Sequence, residues 1–423
     1  MSFVNDIQNK ILIFDGSMGV MLQKNGLPKG HCPEEWNISR PEIVSEIYKA
    51  YRDAGSDIIQ TNTFQSNRIK LTEYKLQDKL YQINYDAVKM AKDIMQQRGR
   101  VSASVGPLGK LLEPFGELTF DLAYDTFKEQ VIALRDGGAD MITLETFTDV
   151  AEMRIALLAV LENTDLPVIC SMSYEKNGKT LMGTEPEICA IILCSMGATL
   201  VGTNCSFGAE HMLKIAKCYQ NVGIPFSMKP NAGMPETIDG KLVYSETPES
   251  FSQYVKEFVK SGARLIGGCC GTTPLYIEAI KRAAEGLDVV QHQLNIDYIT
   301  SSVRRVAFRD LSSSEIGTIE IKENDISEVT DDAMDMATDC DVAIISAQFE
   351  GMREGLLAEA VCEAQTYMKQ PLIIKTNDAE QLNAALRIYK GRAGVIIPQE
   401  DAAILEVAQK YGAVNVGGKY IDG

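Results

Sequence analysis

Two adjacent cysteines, Cys269 and Cys270, stand between glycines in the stretch LIGGCCGTTP. Neighbouring residues of an extended strand point to opposite faces, so both thiols can serve one point in space only if the backbone turns beneath them. Gly267, Gly268 and Gly271 permit that turn. The plainer reading is two small buried residues at a strand end, since unpaired cysteine is often buried. A third thiol, Cys205 in GTNCSFG, changes the balance if the fold brings it to the same place. Three thiolates supply three corners of a tetrahedral zinc site and leave the fourth open to substrate. An all-thiolate ligand set weakens the metal as a Lewis acid and keeps a bound sulfur electron-rich. Such a centre suits alkyl transfer to a thiol better than hydrolysis.

Two carboxylates, Asp15 and Glu145, are suited to holding an ammonium group. The turn DGSMG adds backbone N–H groups at Gly16 and Ser17 that could receive a carboxylate. Together they describe an amino-acid site. The alternatives are a turn or cap residue for Asp15 and a salt bridge for Glu145. Asn204, beside Cys205, could orient substrate or merely satisfy nearby backbone; Asn62 poses the same choice.

These residues matter only if the chain gathers them. Apolar runs expected as strands fall at 11–15, 57–61, 101–105, 141–145, 167–172, 199–203, 224–228 and 264–268. Amphipathic segments such as FDLAYDTFKEQVIALRDGG separate them. Eight strand–helix units point to an α/β fold, a (β/α)8 TIM barrel over residues 1–290, with a doubly wound open sheet as the alternative. In such a barrel reactive groups collect at the C-terminal strand ends. Asp15, Glu145, Cys205, Cys269 and Cys270 all lie at such ends, and the sixth and eighth strands are separated by one neighbour. Residues 291–314 have weak periodicity and are expected to link the barrel to a smaller α/β domain, 315–423, with a mostly parallel sheet.

The chain has 423 residues and a formal net charge of -17, which disfavours nucleic acid or an anionic membrane as partner. Its start lacks the basic flank and long apolar run of a secretory signal, so the expected location is cytoplasmic. The ten cysteines are irregularly spread, which argues against a disulfide framework. Cys170, Cys189, Cys194, Cys218, Cys340 and Cys362 read as core or incidental. His31 and Cys32 lack a further ligand at metal-binding spacing.

The stretches DGSMGVMLQKNG, EEWN, GSDIIQTNTF, VGPLG, LETFTD, GTNCSFG, KPNAGMP and GGCCGTTP occur in that order. Over residues 8–285 the chain thereby resembles the homocysteine S-methyltransferases, and among them the homocysteine-binding barrel of cobalamin-dependent methionine synthases. The resemblance implies Zn2+ on Cys205, Cys269 and Cys270. It implies homocysteine held through Asp15, Glu145 and the backbone near Gly16 and Ser17. Lys229, before PNAG, reads as a minor departure.

The C-terminal stretch QPLIIKTNDAEQLNAALRIYKGRAGVI resembles part of the folate-binding barrel of those synthases. The segments SEIGTIEIKEN and VAIISAQ lack the residues that the family uses for the pterin, so no folate site is expected. None of the three histidines, His31, His211 and His292, stands in the family's cobalt-ligand motif. The expected methyl donor is therefore methylcobalamin on a separate corrinoid protein, with betaine or S-methylmethionine as alternatives. The expected reaction is attack of zinc-bound homocysteine thiolate on that donor, giving methionine. Another thiol or selenol acceptor stays open, as does a non-catalytic zinc- or amino-acid-binding subunit.

Overall fold

The computed structural model describes residues 2–238, 241–397 and 401–417, with backbone only for 235–238 and 241–243. Contacts divide the chain into two compact units, 1–182 with 198–294, and 183–197 with 295–423.

The first unit holds β1 (Leu12–Ile13), β2 (Ile58–Gln60), β3 (Arg100–Val105), β4 (Met141–Phe147), β5 (Val168–Met172), β6 (Leu200–Gly208), β7 (Phe226–Asn231), β8 (Pro235–Ile238), β9 (Lys241–Tyr244) and β10 (Ala263–Ile266). Eight of these form one all-parallel sheet in the order β1-β10-β7-β6-β5-β4-β3-β2. A doubly wound sheet would reverse its strand order, and here barrel strands that follow one another in the chain stay neighbours. A single parallel bridge, Phe14 to Ile58, closes the seam. Carboxylates supplement it: Asp57 Oδ2 accepts from Ile13 N–H at 2.8 Å and Asp15 Oδ2 from Gln60 N–H at 2.7 Å. β8 and β9, not expected from the sequence, form an antiparallel hairpin between β7 and β10.

The barrel interior changes character along its axis. At the N-terminal ends Leu12, Ile58, Met141, Ile169, Leu200 and Leu265 pack with Phe3 and Ile7 of the helix Phe3–Asn9. That helix stoppers the bottom of the barrel. Two residues further along the strands the inward positions turn polar, with Ser102 Oγ and Thr143 Oγ1 2.6 Å apart. Beyond them come Gln60, Ser104, Glu145, Asn204 and Lys229, all buried. Period-2 alternation thus delivers polar side chains to one mouth.

The second unit contains β11 (Tyr298–Thr300), β12 (Arg305–Ala307), β13 (Ile316–Ile321), β14 (Val342–Ala347), β15 (Leu372–Lys375), β16 (Gly394–Ile396) and β17 (Val414–Asn415). The last five form a parallel sheet in consecutive order. Part of the segment expected as a link is structured: β11 and β12 pair antiparallel, and Ile299, Phe308 and Leu311 join the core with Val342 and Ile373. Pro398, the expected end of the fourth strand of this domain, lies outside the described residues. Among the described residues no helix is long and apolar enough to cross a membrane.

Candidate metal and amino-acid site

Cys269 and Cys270 follow β10 directly. Cys269 N–H donates to Pro230 O at 2.8 Å and Cys270 N–H to Asn231 Oδ1 at 3.1 Å, which pins the turn to the end of β7. Gly271 has φ +85, and a side chain there would drive into the Tyr244 ring, 2.4 Å from its position. Only glycine serves both demands. Cys205 reaches the same place differently. It follows the inward-facing Asn204 and would face away in a regular strand, but its φ of 54 and a register shift in β6 turn it back.

The three sulfurs lie within 4.8 Å of one another, with Cys205 and Cys270 Sγ 3.3 Å apart. Sulfurs at three corners of a tetrahedral zinc stand about 3.8 Å apart, given Zn–S bonds of about 2.3 Å. The donor set therefore fits such a metal. It is the one group of three or more potential ligands among the described residues. Bonding from the Cys205 and Cys269 thiols pulls Cys270 down to about 3. The shared proton raises Cys205 far above the usual thiol range, and Cys269 rises to about 11.

Across the mouth Glu145 accepts three hydrogen bonds. Its Oε1 accepts from Gln60 Nε2 at 2.8 Å and from Ser104 Oγ, and its Oε2 from Lys229 Nζ at 2.9 Å. Lys229 also donates to Gln60 Oε1 and stands 4.6 Å from the Phe14 ring centroid. Burial works against its charge, yet Glu145, Cys269 and Asp15 together hold the ammonium above the ordinary lysine range. Asp15 is buried with Oδ1 unpartnered. Burial pushes its carboxyl up to about 7, against the pull of Lys229 and the Gln60 N–H and with a further push from Glu145. The Asp15–Ser17 turn is tied to the cysteine loop: Ser17 N–H donates to Thr272 O at 3.3 Å, and Tyr51 Oη to Ser17 O at 2.9 Å and Thr272 O at 3.2 Å. Asn62 Nδ2 is occupied by Pro33 O and Asn37 Oδ1. Asn204 is occupied by protein groups throughout.

The structure thus brings Asp15, Gly16, Ser17, Glu145, Asn204 and the three cysteines to one end of the barrel. Lys229, Gln60, Ser104 and Tyr244 join them and were not foreseen. A usable signal for Lys229 was its place in FSMKPN, where Ser227, Lys229 and Asn231 alternate with apolar residues. Burial and the neighbouring thiolates push the Tyr244 phenol up to about 12. Beside Cys205 an open cleft is lined by Thr146, Tyr174, Leu181, Phe207 and Met234.

Comparison with known proteins adds a family signal. The profile of the homocysteine S-methyltransferase family matches residues 12–284. The methionine synthase of Mycobacterium tuberculosis is 28% identical over 322 residues, 70% of this chain and 26% of that protein. The methionine synthase of Mycobacterium leprae is 28% identical over 302 residues, 66% of this chain and 24% of that protein. The matched region is thus only about a quarter of the length of these relatives. Among solved structures, the homocysteine methyltransferase MmuM from Escherichia coli, metallated form, aligns with a TM-score of 0.56 at 21% identity. That alignment covers 64% of this chain and 96% of MmuM, and supports the fold.

Proposed function

The chain belongs to the homocysteine S-methyltransferase family, and on that premise we propose that it methylates the thiol of homocysteine to give methionine. The observation that carries this reading is one mouth that offers three convergent sulfurs and, across from them, the buried, unpartnered Asp15 Oδ1. An unsatisfied buried acceptor calls for a donor, and a substrate ammonium supplies one. The substrate's carboxylate is assigned to the Gly16 N–H, in the turn that Tyr51 steadies, since the Ser17 N–H is spent on Thr272 O. Once Asp15 is ionised, it and Glu145 give the pocket two negative charges and Lys229 returns one positive charge. The balance suits one further cation.

Zinc on Cys205, Cys269 and Cys270 would hold the acceptor's sulfur as a thiolate at neutral pH. The chain's own residues fix that sulfur's place by anchoring the amino-acid end on the opposite wall. In the transfer the sulfur lone pair forms the S–CH3 bond, the bond from methyl to donor breaks, and its electron pair leaves with the donor. We assign the donor to a methylcorrinoid held by a separate protein; the similarity to methionine synthases and the open cleft beside Cys205 support this. We further assign residues 315–423 to docking or stabilising that donor protein.

The test is a methyl-transfer assay with zinc-loaded protein and homocysteine, offering methylcobalamin, betaine, S-methylmethionine and methyltetrahydrofolate in turn. Methionine is expected with methylcobalamin. Absence of methionine with all four donors would refute the reading.

A further inference from the structure

Asn204 is fully buried on β6, and its amide spends every hydrogen-bonding position on the protein. Oδ1 accepts from Thr146 N–H at 3.0 Å and from Ser171 Oγ at 2.7 Å. Nδ2 donates to Thr146 Oγ1 at 2.8 Å and to Cys269 Sγ at 3.7 Å, within range for sulfur. The Thr146 N–H can only donate, so it fixes which end of the amide is oxygen and turns the NH2 end towards the sulfur.

Thr146 and Cys205 share a second property. Their φ values are 66 and 54, in the left-handed region that residues bearing a side chain avoid, β-branched ones most of all. Each directly follows an inward-facing residue, Glu145 or Asn204, at a point where its strand slips register. Two unfavourable backbone turns, on β4 and β6, are therefore latched across β5 by one side chain. Strain of this kind persists only where the surroundings over-determine it, and it collects at functional sites.

We infer that Asn204 is a positioning residue of the thiol centre: it latches the left-handed ends of β4 and β6 and donates an N–H to the Cys269 sulfur. The latch sets where the Cys205 sulfur stands. The N–H···S contact draws electron density from Cys269 and sets how strongly that sulfur donates to a metal. Partners of this kind orient ligands and tune the ion they hold. The amide has no position left for substrate. This inference rests on reading the cysteine triad as a metal site.

The test uses the full chain with Co2+ as the metal probe, read by the thiolate-to-cobalt charge-transfer band and by competition titration. Asn204→Asp keeps the shape and replaces both N–H donors by oxygen. It is expected to lower metal affinity about 10- to 100-fold and to shift the band. Ser171→Ala removes a bond on the oxygen side only, and should leave the band in place and the affinity within about threefold. If Asn204→Asp does not fold, Thr146→Val removes the acceptor that aims the NH2 group and is expected to shift the band the same way. A folded Asn204→Asp protein with unchanged band and affinity would overturn the inference, as would a Ser171→Ala protein with the same shift. Wild-type protein that takes up no cobalt would contradict the metal reading instead.

Discussion

The ammonium of Lys229 lies 2.9 Å from Glu145 Oε2 inside the barrel mouth, with both side chains almost wholly withdrawn from water. Removing one member of a buried pair leaves the other charge uncompensated. Lys229→Met is therefore expected to destabilise the fold by about 3–5 kcal/mol in urea unfolding. Replacing both, Lys229→Met with Glu145→Met, should recover part of that loss. A double variant no more stable than Lys229→Met would show that the pair is not the source of the cost.

Zinc should copurify at about one ion per chain, because the described residues hold one three-sulfur group. Changing Cys205, Cys269 or Cys270 to Ser or Ala should abolish methyl transfer while circular dichroism stays native. Full zinc occupancy in a Cys269→Ala, Cys270→Ala double variant would place the metal elsewhere.

Asp15 ties homocysteine affinity to pH. Its carboxyl is raised from 3.8 to about 7 in the folded chain, and an ammonium pairs with the ionised form. Affinity should therefore rise about tenfold per unit as pH climbs towards 7 and level off above it. The sign for stability is opposite. The folded state holds this proton more tightly than the unfolded state, so stability is highest below about 4 and declines as pH rises to about 7. Asp15→Asn should remove that decline. The same change should cost about 1.5–3 kcal/mol of homocysteine affinity in calorimetry and leave zinc content unchanged. Homocysteine affinity independent of pH between 5 and 8 would place the ammonium away from Asp15.

For the C-terminal unit we expect no folate binding. Its first two strands, β13 and β14, lie in SEIGTIEIKEN and VAIISAQ, the segments without the expected pterin residues. Calorimetry of the full chain with methyltetrahydrofolate should give no heat of binding, and micromolar affinity would reverse the assignment.

Much of this site could be read in the sequence because barrel geometry is periodic. Once eight apolar runs alternate with helices, Asp15, Glu145, Cys205 and the Cys269–Cys270 pair fall at strand ends by counting alone. Lys229 resisted that reading. A lysine ordinarily marks solvent, and its partners Glu145 and Gln60 lie 84 and 169 residues away on other strands. The left-handed backbone at Cys205 and Thr146 left no glycine to announce it. The hairpin of β8 and β9, which brings Tyr244 over the cysteine loop, is short, and its role comes from where it packs.

The most direct measurement is X-ray absorption at the zinc edge, on the protein alone and with homocysteine. The account predicts three sulfurs at about 2.3 Å plus one lighter atom without substrate, and four sulfurs once homocysteine is added. A sulfur count that stays the same on adding homocysteine would contradict it.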